Sequence, residues 1–364
     1  MIHVIPHHIG KGSWVHWYDL IHFKDSEEVS YYKVDNPLKY EFVEIPKEQY
    51  YPELINHLSI INPKEGDYVF CDLQYFPYEN HEIFYESIEE VAKKYKIKFF
   101  VIDTDNFHPY VNTEYYTIFS NRFNRSDSSL NFNYFRYRPA KEHYIKNIIP
   151  LFDPFLENIR QKKLNFIVGV DKVERLLALK HIYDTNLNLD SYVGYSGFNH
   201  AYSDDDISES LLKFRDSHLP IILDTPFERS EMGAVNVDYP PFPITLNSYV
   251  SAVCETSVIL DHLHLSEKSW NPLMSLNIPL ILGSTGLVDY LQEIGFWVAN
   301  DIFDTSIKFN YVEIVNQFKS NLDVVNNMSY NDLYDYFRSK KRAMVDNNQL
   351  LIKQKFIFDR NNYK

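Results

Sequence analysis

Two short apolar runs with a helical stretch between them constrain this chain more than any other feature. Tyr249–Cys254 (YVSAVC) and Ile278–Leu282 (IPLIL) are brief, rich in β-branched or aliphatic residues and bounded by turn residues, as strands buried in a parallel sheet are. Between them, Ser266 or Asn271 can cap a helix that carries Glu267, Lys268 and Pro272 in its first turns. A carboxylate and an ammonium side by side at a helix start can grip two parts of a nucleotide. The carboxylate accepts from ribose hydroxyls and the ammonium meets phosphate, with the helix dipole adding to the second contact.

The first half alternates strands and helices. Ile2–Ile5 reads as a strand followed by a turn holding His7, His8, Gly10, Lys11 and Gly12, and Asp67–Leu73 as a strand ending on Asp72. Glu82–Lys94 has helical spacing, and Lys98–Ile102 is a third strand that leads into Asp103 and Asp105. This order predicts a parallel sheet with right-handed crossovers. From Asn121 to Pro139, Arg122, Arg125, Arg136 and Arg138 are interleaved with phenylalanines and tyrosines. A second sheet is expected to begin at Leu164–Val168, followed by a helix over Val173–Asp184, with the domain boundary between Pro150 and Lys163. Tyr330–Lys364 reads as helical, and basic around Arg338, Lys340, Lys341 and Arg342.

A chain of 364 residues exceeds the usual size of one hydrophobic core, so two domains are expected. Thirty-six basic against fifty acidic side chains leave a net charge of −14, which argues against a protein coated in basic charge yet is compatible with a local positive groove. Cys71 and Cys254 both lie in apolar strand-like runs, as buried free thiols of a reducing compartment do, and their spacing offers neither a zinc site nor a disulfide framework. No uninterrupted apolar stretch approaches the length of a membrane span, and the amino end lacks a basic segment followed by an apolar one. A cytoplasmic protein without membrane insertion, monomer or homodimer, is the expectation. Abundant Tyr, Phe, Asn, Lys and Ile agree with an AT-rich coding genome, that of a phage or a low-GC bacterium; if phage-encoded, the protein works in the host cytoplasm.

Glu255-Thr256, then Ser266-Glu267-Lys268-Ser269-Trp270-Asn271-Pro272, then Pro279 to Gly286 and Leu291 to Phe296 together resemble the nucleotide-sugar half of GT-B glycosyltransferases. The block is similar to one of phage and bacterial type, and its acid–lysine core to that of the α1,3-fucosyltransferases. Asn271 stands where that block often has a lysine. Gly169 to Leu179 resembles the stretch that opens the second domain in the same families, with Lys172 and Arg175 at the positions where a basic residue meets the diphosphate.

The resemblance implies an α/β fold of GT-B type, two Rossmann-like domains with a cleft between them and a C-terminal helix crossing back. It sets an acceptor-side domain over 1–155, a nucleotide-sugar domain over 156–340 and the returning helix over 341–364. The implied activity is a hexosyl- or pentosyltransferase that takes its sugar from a nucleotide diphosphate sugar, UDP- or GDP-linked. Neither a metal nor another cofactor is implied. Glu255, Ser266, Glu267, Lys268, Lys172, Arg175, Gly283 and Ser284 are the donor-binding candidates. The turn Gly283-Ser284-Thr285-Gly286 either approaches phosphate with its amino end or is simply a turn, and it lacks the glycine spacing of a dinucleotide fingerprint or P-loop.

Negative charge building on the leaving diphosphate must be stabilised, and an inverting enzyme also needs a base for the acceptor hydroxyl. Asp72, Asp103 and Asp105, acids at strand ends, are the base candidates, although such residues also cap turns. Asp103-Thr104-Asp105 has a spacing that alternatively binds a metal. His8 with His7, and Arg122, Arg125, Arg136 and Arg138, are the acceptor candidates, since guanidinium groups pair with phosphates while the intervening rings stack on bases or sugars. The alternative for that tract is a surface loop whose aromatics pack on the first domain. The favoured acceptor is double-stranded DNA with modified pyrimidines, specifically a hydroxymethylated base. Lipopolysaccharide, capsule or another surface glycan, and a non-catalytic sugar-nucleotide-binding module, are the alternatives. Inversion or retention stays open.

Overall fold

The computed structural model describes residues 1–4, 21–23, 29–31, 58–59, 61–72, 81–103, 113–120, 122–123, 159–198, 202–221, 244–255, 258, 263–353 and 356–358. The chain divides into two compact units, Met1–Arg136 with Lys355–Lys364, and Tyr137–Gln354. Both are mixed α/β with parallel sheets.

The described strands of the first unit are β1 (Ile2–Val4), β2 (Ile21–Phe23), β3 (Val29–Tyr31), β4 (Tyr68–Asp72), β5 (Lys98–Asp103), β6 (Tyr116–Ser120) and β7 (Arg122–Phe123). Five of them form one parallel sheet in the order β3-β1-β4-β5-β6. Helix α1 (His81–Tyr95) joins β4 to β5 and buries Tyr85, Ile88, Val91 and Ala92, which recur at helical spacing on one face. Phe70 and Phe100 stack on neighbouring strands with ring centroids 4.8 Å apart, and Tyr85 meets Tyr116 at 5.0 Å.

The second unit contains β8 (Lys162–Val170), β9 (Ser191–Phe198), β10 (Ser248–Cys254), β11 (Leu263–His264) and β12 (Ile278–Leu282). Its described helices are α2 (Val173–Asp184), α3 (Glu209–His218), α4 (Glu267–Met274), α5 (Leu287–Glu293), α6 (Tyr311–Asn327) and α7 (Tyr330–Lys353). Four strands make a wholly parallel sheet in the order β12-β10-β8-β9. The chain therefore starts at β8, steps outward to β9, and returns to the far side of β8 to lay down β10 and β12. The reversal falls between β8 and β10. Right-handed crossovers in the two directions put α2 and α4 on opposite faces of the sheet. Helix α6 packs on α2, β8 and β12, and α7 packs on α4 and β10.

Between these layers Leu164, Phe166, Leu176, Leu179, Tyr249, Val250, Ile278, Leu282 and Phe337 are closed off from solvent. Each such apolar side chain contributes about 1.5–3 kcal/mol relative to an exposed one. Two polar devices fix the sheet within this apolar surround. The Asn165 amide on β8 donates to the Ser248 hydroxyl at 2.7 Å and to the Val250 carbonyl at 3.2 Å, and accepts from the Ser251 hydroxyl at 2.9 Å, tying β8 to β10. At the amino edge, buried Arg160 donates to the carbonyls of Ser248 (2.5 Å) and Leu276 (3.0 Å) while its guanidinium lies 4.1 Å from the centre of the Phe337 ring.

Helix α7 remains in the second unit, and the tail residues Lys355–Lys364 belong to the first. Their described part is a strand, β13 (Phe356–Phe358), paired in parallel with β2. The sequence FIF is short, apolar and aromatic, which suits a strand and is too brief to continue a helix. The passage between units falls at Arg136/Tyr137. Among the described residues no helix is long and apolar enough to cross a membrane.

Where β12 gives way to the turn before α5, the backbone comes too close to its neighbours for a side chain. A Cβ on Gly283 would stand 2.3 Å from Leu287 Cδ2 and 3.4 Å from Glu255 Cγ. Leu287 is itself buried, so Gly283→Ala is expected to cost about 1–3 kcal/mol through overpacking. Adding Leu287→Ala should recover part of that loss, which denaturant unfolding of the two single variants and the double variant reads as a favourable coupling.

Candidate functional site

In an open α/β sheet, the reversal of strand order leaves a crevice at the carboxyl ends of the two flanking strands. Here those ends are Val170 of β8 and Cys254 of β10, and the helices that follow, α2 and α4, begin beside them. Around this edge gather Asp171, Lys172, Glu174, Arg175, Glu255, Ser266 and Lys268.

Glu255 follows directly on β10 and is wholly buried. Its carboxylate caps α4: Oε1 accepts the backbone N–H of Ser266 at 3.0 Å and of Ser269 at 3.1 Å, the Ser269 hydroxyl also donates to Oε1, and the Ser266 hydroxyl donates to Oε2. Burial pushes its pKa up, but the attraction of His264 and Lys268, with the two serine hydroxyls, holds it below the ordinary carboxyl value. Ser266 is in turn the N-cap of α4, its hydroxyl accepting the Lys268 N–H at 3.3 Å. Glu255 and Ser266, two donor-binding candidates, therefore have their polar groups turned on one another and on the helix start. Lys268 is half-buried beside them. Glu267 occupies the first position of α4, and its side chain lies outside the described residues.

Arg175 is also spent internally. It is 2% exposed, donating to the carbonyls of Val170 (2.9 Å) and Glu255 (2.8 Å). The guanidinium thus bridges the ends of β8 and β10 across the reversal. The diphosphate contact expected of it is replaced by a positioning role, because its forked donors already point at backbone acceptors. Lys172, the matching basic residue, is half-buried at the N-cap of α2, where no side chain caps the helix. Gly283 packs against Glu255 and Leu287 as described. Ser284 is 5% exposed, and its hydroxyl has no partner among the described residues.

Several participants were not singled out from sequence. Asp171 is fully buried and accepts from Tyr195 at 2.6 Å and Tyr202 at 2.5 Å. Burial and that carboxylate raise both phenol pKa values. The Tyr311 hydroxyl, at the first position of α6, reaches Glu174 Oε2 at 3.3 Å, so α6 starts at the same edge as α2. Ser269 stands three residues after Ser266, a spacing that puts both over one helix end. Cys254, by contrast, was expected from sequence to be a buried free thiol and is one, its pKa pushed well up by burial, which makes it an inert packing residue.

Asp72 and Asp103 close β4 and β5 at the carboxyl edge of the first sheet, with side chains outside the described residues. Arg122 lies in β7 under the same restriction, and Asp105, His7, His8, Arg125, Arg136 and Arg138 lie outside the described residues altogether. Comparison with known protein families, with characterised proteins and with solved structures finds no match to this chain.

A carboxyl whose folded pKa is depressed stabilises the fold above its unfolded pKa, about 4.3 for glutamate, and loses that contribution as pH falls through the folded value. Glu255→Gln should cost about 3 kcal/mol at neutral pH, because an amide nitrogen would face the donors that a carboxylate accepts. The gap between wild type and variant in denaturant unfolding should narrow as pH falls below about 4.

Proposed function

We propose that this protein is a GT-B-type glycosyltransferase whose second unit holds a nucleotide diphosphate sugar, UDP- or GDP-linked, and whose first unit presents the acceptor. One observation carries the reading: Lys172 and Lys268 stand at the amino ends of α2 and α4 on either side of the β8/β10 reversal, where a parallel sheet takes its ligand.

Transfer breaks the bond between the anomeric carbon and the diphosphate oxygen and forms one to the acceptor oxygen, releasing nucleoside diphosphate and a proton. Charge developing on the leaving diphosphate is met by the Lys268 ammonium, by Lys172 and by the amino end of α2, without a metal ion. Glu267 takes the ribose hydroxyls. Glu255 and Arg175 act behind them, the first fixing the start of α4 and the second holding the two strand ends together. In an inverting reaction one of Asp72, Asp103 and Asp105 accepts the acceptor proton.

Lys268→Ala should remove about 2–4 kcal/mol of leaving-group stabilisation. Calorimetric titration of UDP and GDP into wild type, Lys268→Ala, Lys172→Ala and Glu267→Ala tests the assignment, with the thermal midpoint followed as a check on folding. Affinity unchanged in all three variants would remove the site.

For the acceptor, a hydroxymethylated pyrimidine of phage DNA is favoured, the arginine and aromatic tract from Arg122 to Arg138 supplying phosphate and stacking contacts. The net charge of −14 supports the second reading, a lipopolysaccharide, capsule or other glycan acceptor. Under the DNA reading the enzyme works in the cytoplasm, where such DNA is made. Binding of hydroxymethylated duplex DNA should weaken steeply with salt, and Arg136→Ala/Arg138→Ala should flatten the slope by about two units if each side chain meets one phosphate. A flat salt response moves the assignment to the glycan. Donor binding without transfer to any acceptor leaves a sugar-nucleotide-binding module.

A further inference from the structure

Four carboxylates are buried among the described residues: Asp67, Asp171, Glu174 and Glu255. Three of them are well supplied with donors. Asp67 accepts the Lys64 N–H at 2.7 Å and meets His3 Nε2 at 2.9 Å and the Met1 ammonium at 2.8 Å. Asp171 takes the Tyr195 and Tyr202 hydroxyls, and Glu255 the first turn of α4. Glu174 is the exception.

An ionised carboxylate has about four acceptor sites, and burying it is costly unless they are filled. Glu174 is only 8% exposed, yet the one hydrogen bond it accepts among the described residues is that of the Tyr311 hydroxyl to Oε2, at 3.3 Å. Oε1 has no partner among them and is not closed off from solvent. The helix dipole favours an acid in the first turn of α2, which accounts for the sign of the charge. An acid kept there for the dipole alone would stay in water. This one is drawn into the fold with its acceptor capacity unused, and a buried polar group left in that state calls for a donor from outside the protein.

The carboxylate also stands at the reversal of strand order. Arg175, next in the chain, bonds the ends of β8 and β10. Burial raises the pKa of the Cys254 thiol at the end of β10, and the charges of Arg175, Glu174, Glu255 and Lys268 act on the same group, so all four lie about one strand end. Tyr311, half-buried, meets the carboxylate from the start of α6. Burial and the Glu174 charge raise its pKa, so the phenol keeps its proton. A carboxylate beside a neutral phenol repels phosphate and other carboxylates and suits an uncharged hydroxyl, which donates to the first and exchanges a hydrogen bond with the second.

We infer that Glu174, with Tyr311 beside it, takes a hydroxyl of the donor's sugar, and that this sugar is a neutral hexose or pentose and not a uronate. The inference rests on the sugar-nucleotide reading of the same edge and adds a preference among donors. Lys172 and Lys268 meet the diphosphate, and Glu174 the uncharged part of the ligand.

Calorimetric titration of the full chain tests it with UDP and GDP, with the neutral UDP-glucose, UDP-galactose, UDP-N-acetylglucosamine, UDP-xylose, GDP-mannose and GDP-fucose, and with UDP-glucuronate and GDP-mannuronate. Wild type should bind one neutral sugar nucleotide more tightly than the corresponding nucleoside diphosphate, and the uronate of the same base no more tightly than that diphosphate. Glu174→Gln should weaken the preferred sugar nucleotide by roughly 5- to 10-fold, the difference between a charged and a neutral acceptor, leave the nucleoside diphosphate unchanged and bring the uronate closer to its neutral counterpart. Tyr311→Phe should cost less, because the carboxylate remains. With a single long bond to lose, Glu174→Gln should unfold no earlier than wild type. A thermal midpoint lowered as far as in Glu255→Gln would make the carboxylate structural and overturn the inference. A uronate bound by wild type as tightly as its neutral counterpart, an equal loss of the nucleoside diphosphate in Glu174→Gln, or a wild type that holds UDP or GDP and gains nothing from any sugar would each overturn it and leave the donor site standing. Failure of wild type to bind any of these nucleotides would remove the donor reading and the sugar contact together.

Discussion

A single buried carboxylate organises the carboxyl edge of the second unit's sheet. Glu255 stands at the end of the central strand β10 and accepts four hydrogen bonds from the first turn of α4, so strand end and helix start become one rigid corner. An isolated buried carboxylate would be strongly disfavoured. His264, Lys268 and two serine hydroxyls make this one acceptable, and the two serines are fixed in place by their bonds to it. Gly283 must lack a side chain because Glu255 and Leu287 occupy that space. The position of Lys268 relative to the sheet follows from the same corner.

Arg175 plays the complementary part on the other strand. Its guanidinium gathers carbonyls from the ends of β8 and β10, on either side of the reversal of strand order. Charged side chains of both signs are thus consumed in shaping the edge before any ligand arrives. Lys172 and Lys268 stand at the amino ends of the two helices that start from this edge. A preorganised frame of this kind keeps its donors in place without reorganisation when charge develops.

The strands β8, β10 and β12 and the helix α2 were legible because their apolar runs are short, β-branched or helically spaced, and each is bounded by turn residues. For the start of α4 the sequence offered Ser266 or Asn271 as the cap, and Ser266 takes it. Strand β9 (SYVGYSGF) was missed, since two glycines and alternating tyrosines dilute its apolar signal. The roles of Glu255 and Arg175 could not be read locally. A one-dimensional motif shows an acid after a strand and a base early in a helix, but whether each faces outward or closes on the backbone is decided by partners far along the chain, such as Ser269 or the end of β10.

The polar bridge between β8 and β10 bears on how the second unit assembles. Asn165 and Ser248 lie 83 positions apart, whereas β8 and β9 are separated by little more than helix α2. Closing a loop roughly three times longer costs only about 1 kcal/mol more, yet distant contacts are the slow ones to form. The β8–α2–β9 unit is thus kinetically local, and β10 arrives on it afterwards, with Asn165 admitting a single register through Ser248, Val250 and Ser251. Since the crevice exists only once β10 lies beside β8, it belongs to the non-local step of folding, and a chain arrested before that step would keep much of its secondary structure while lacking the crevice.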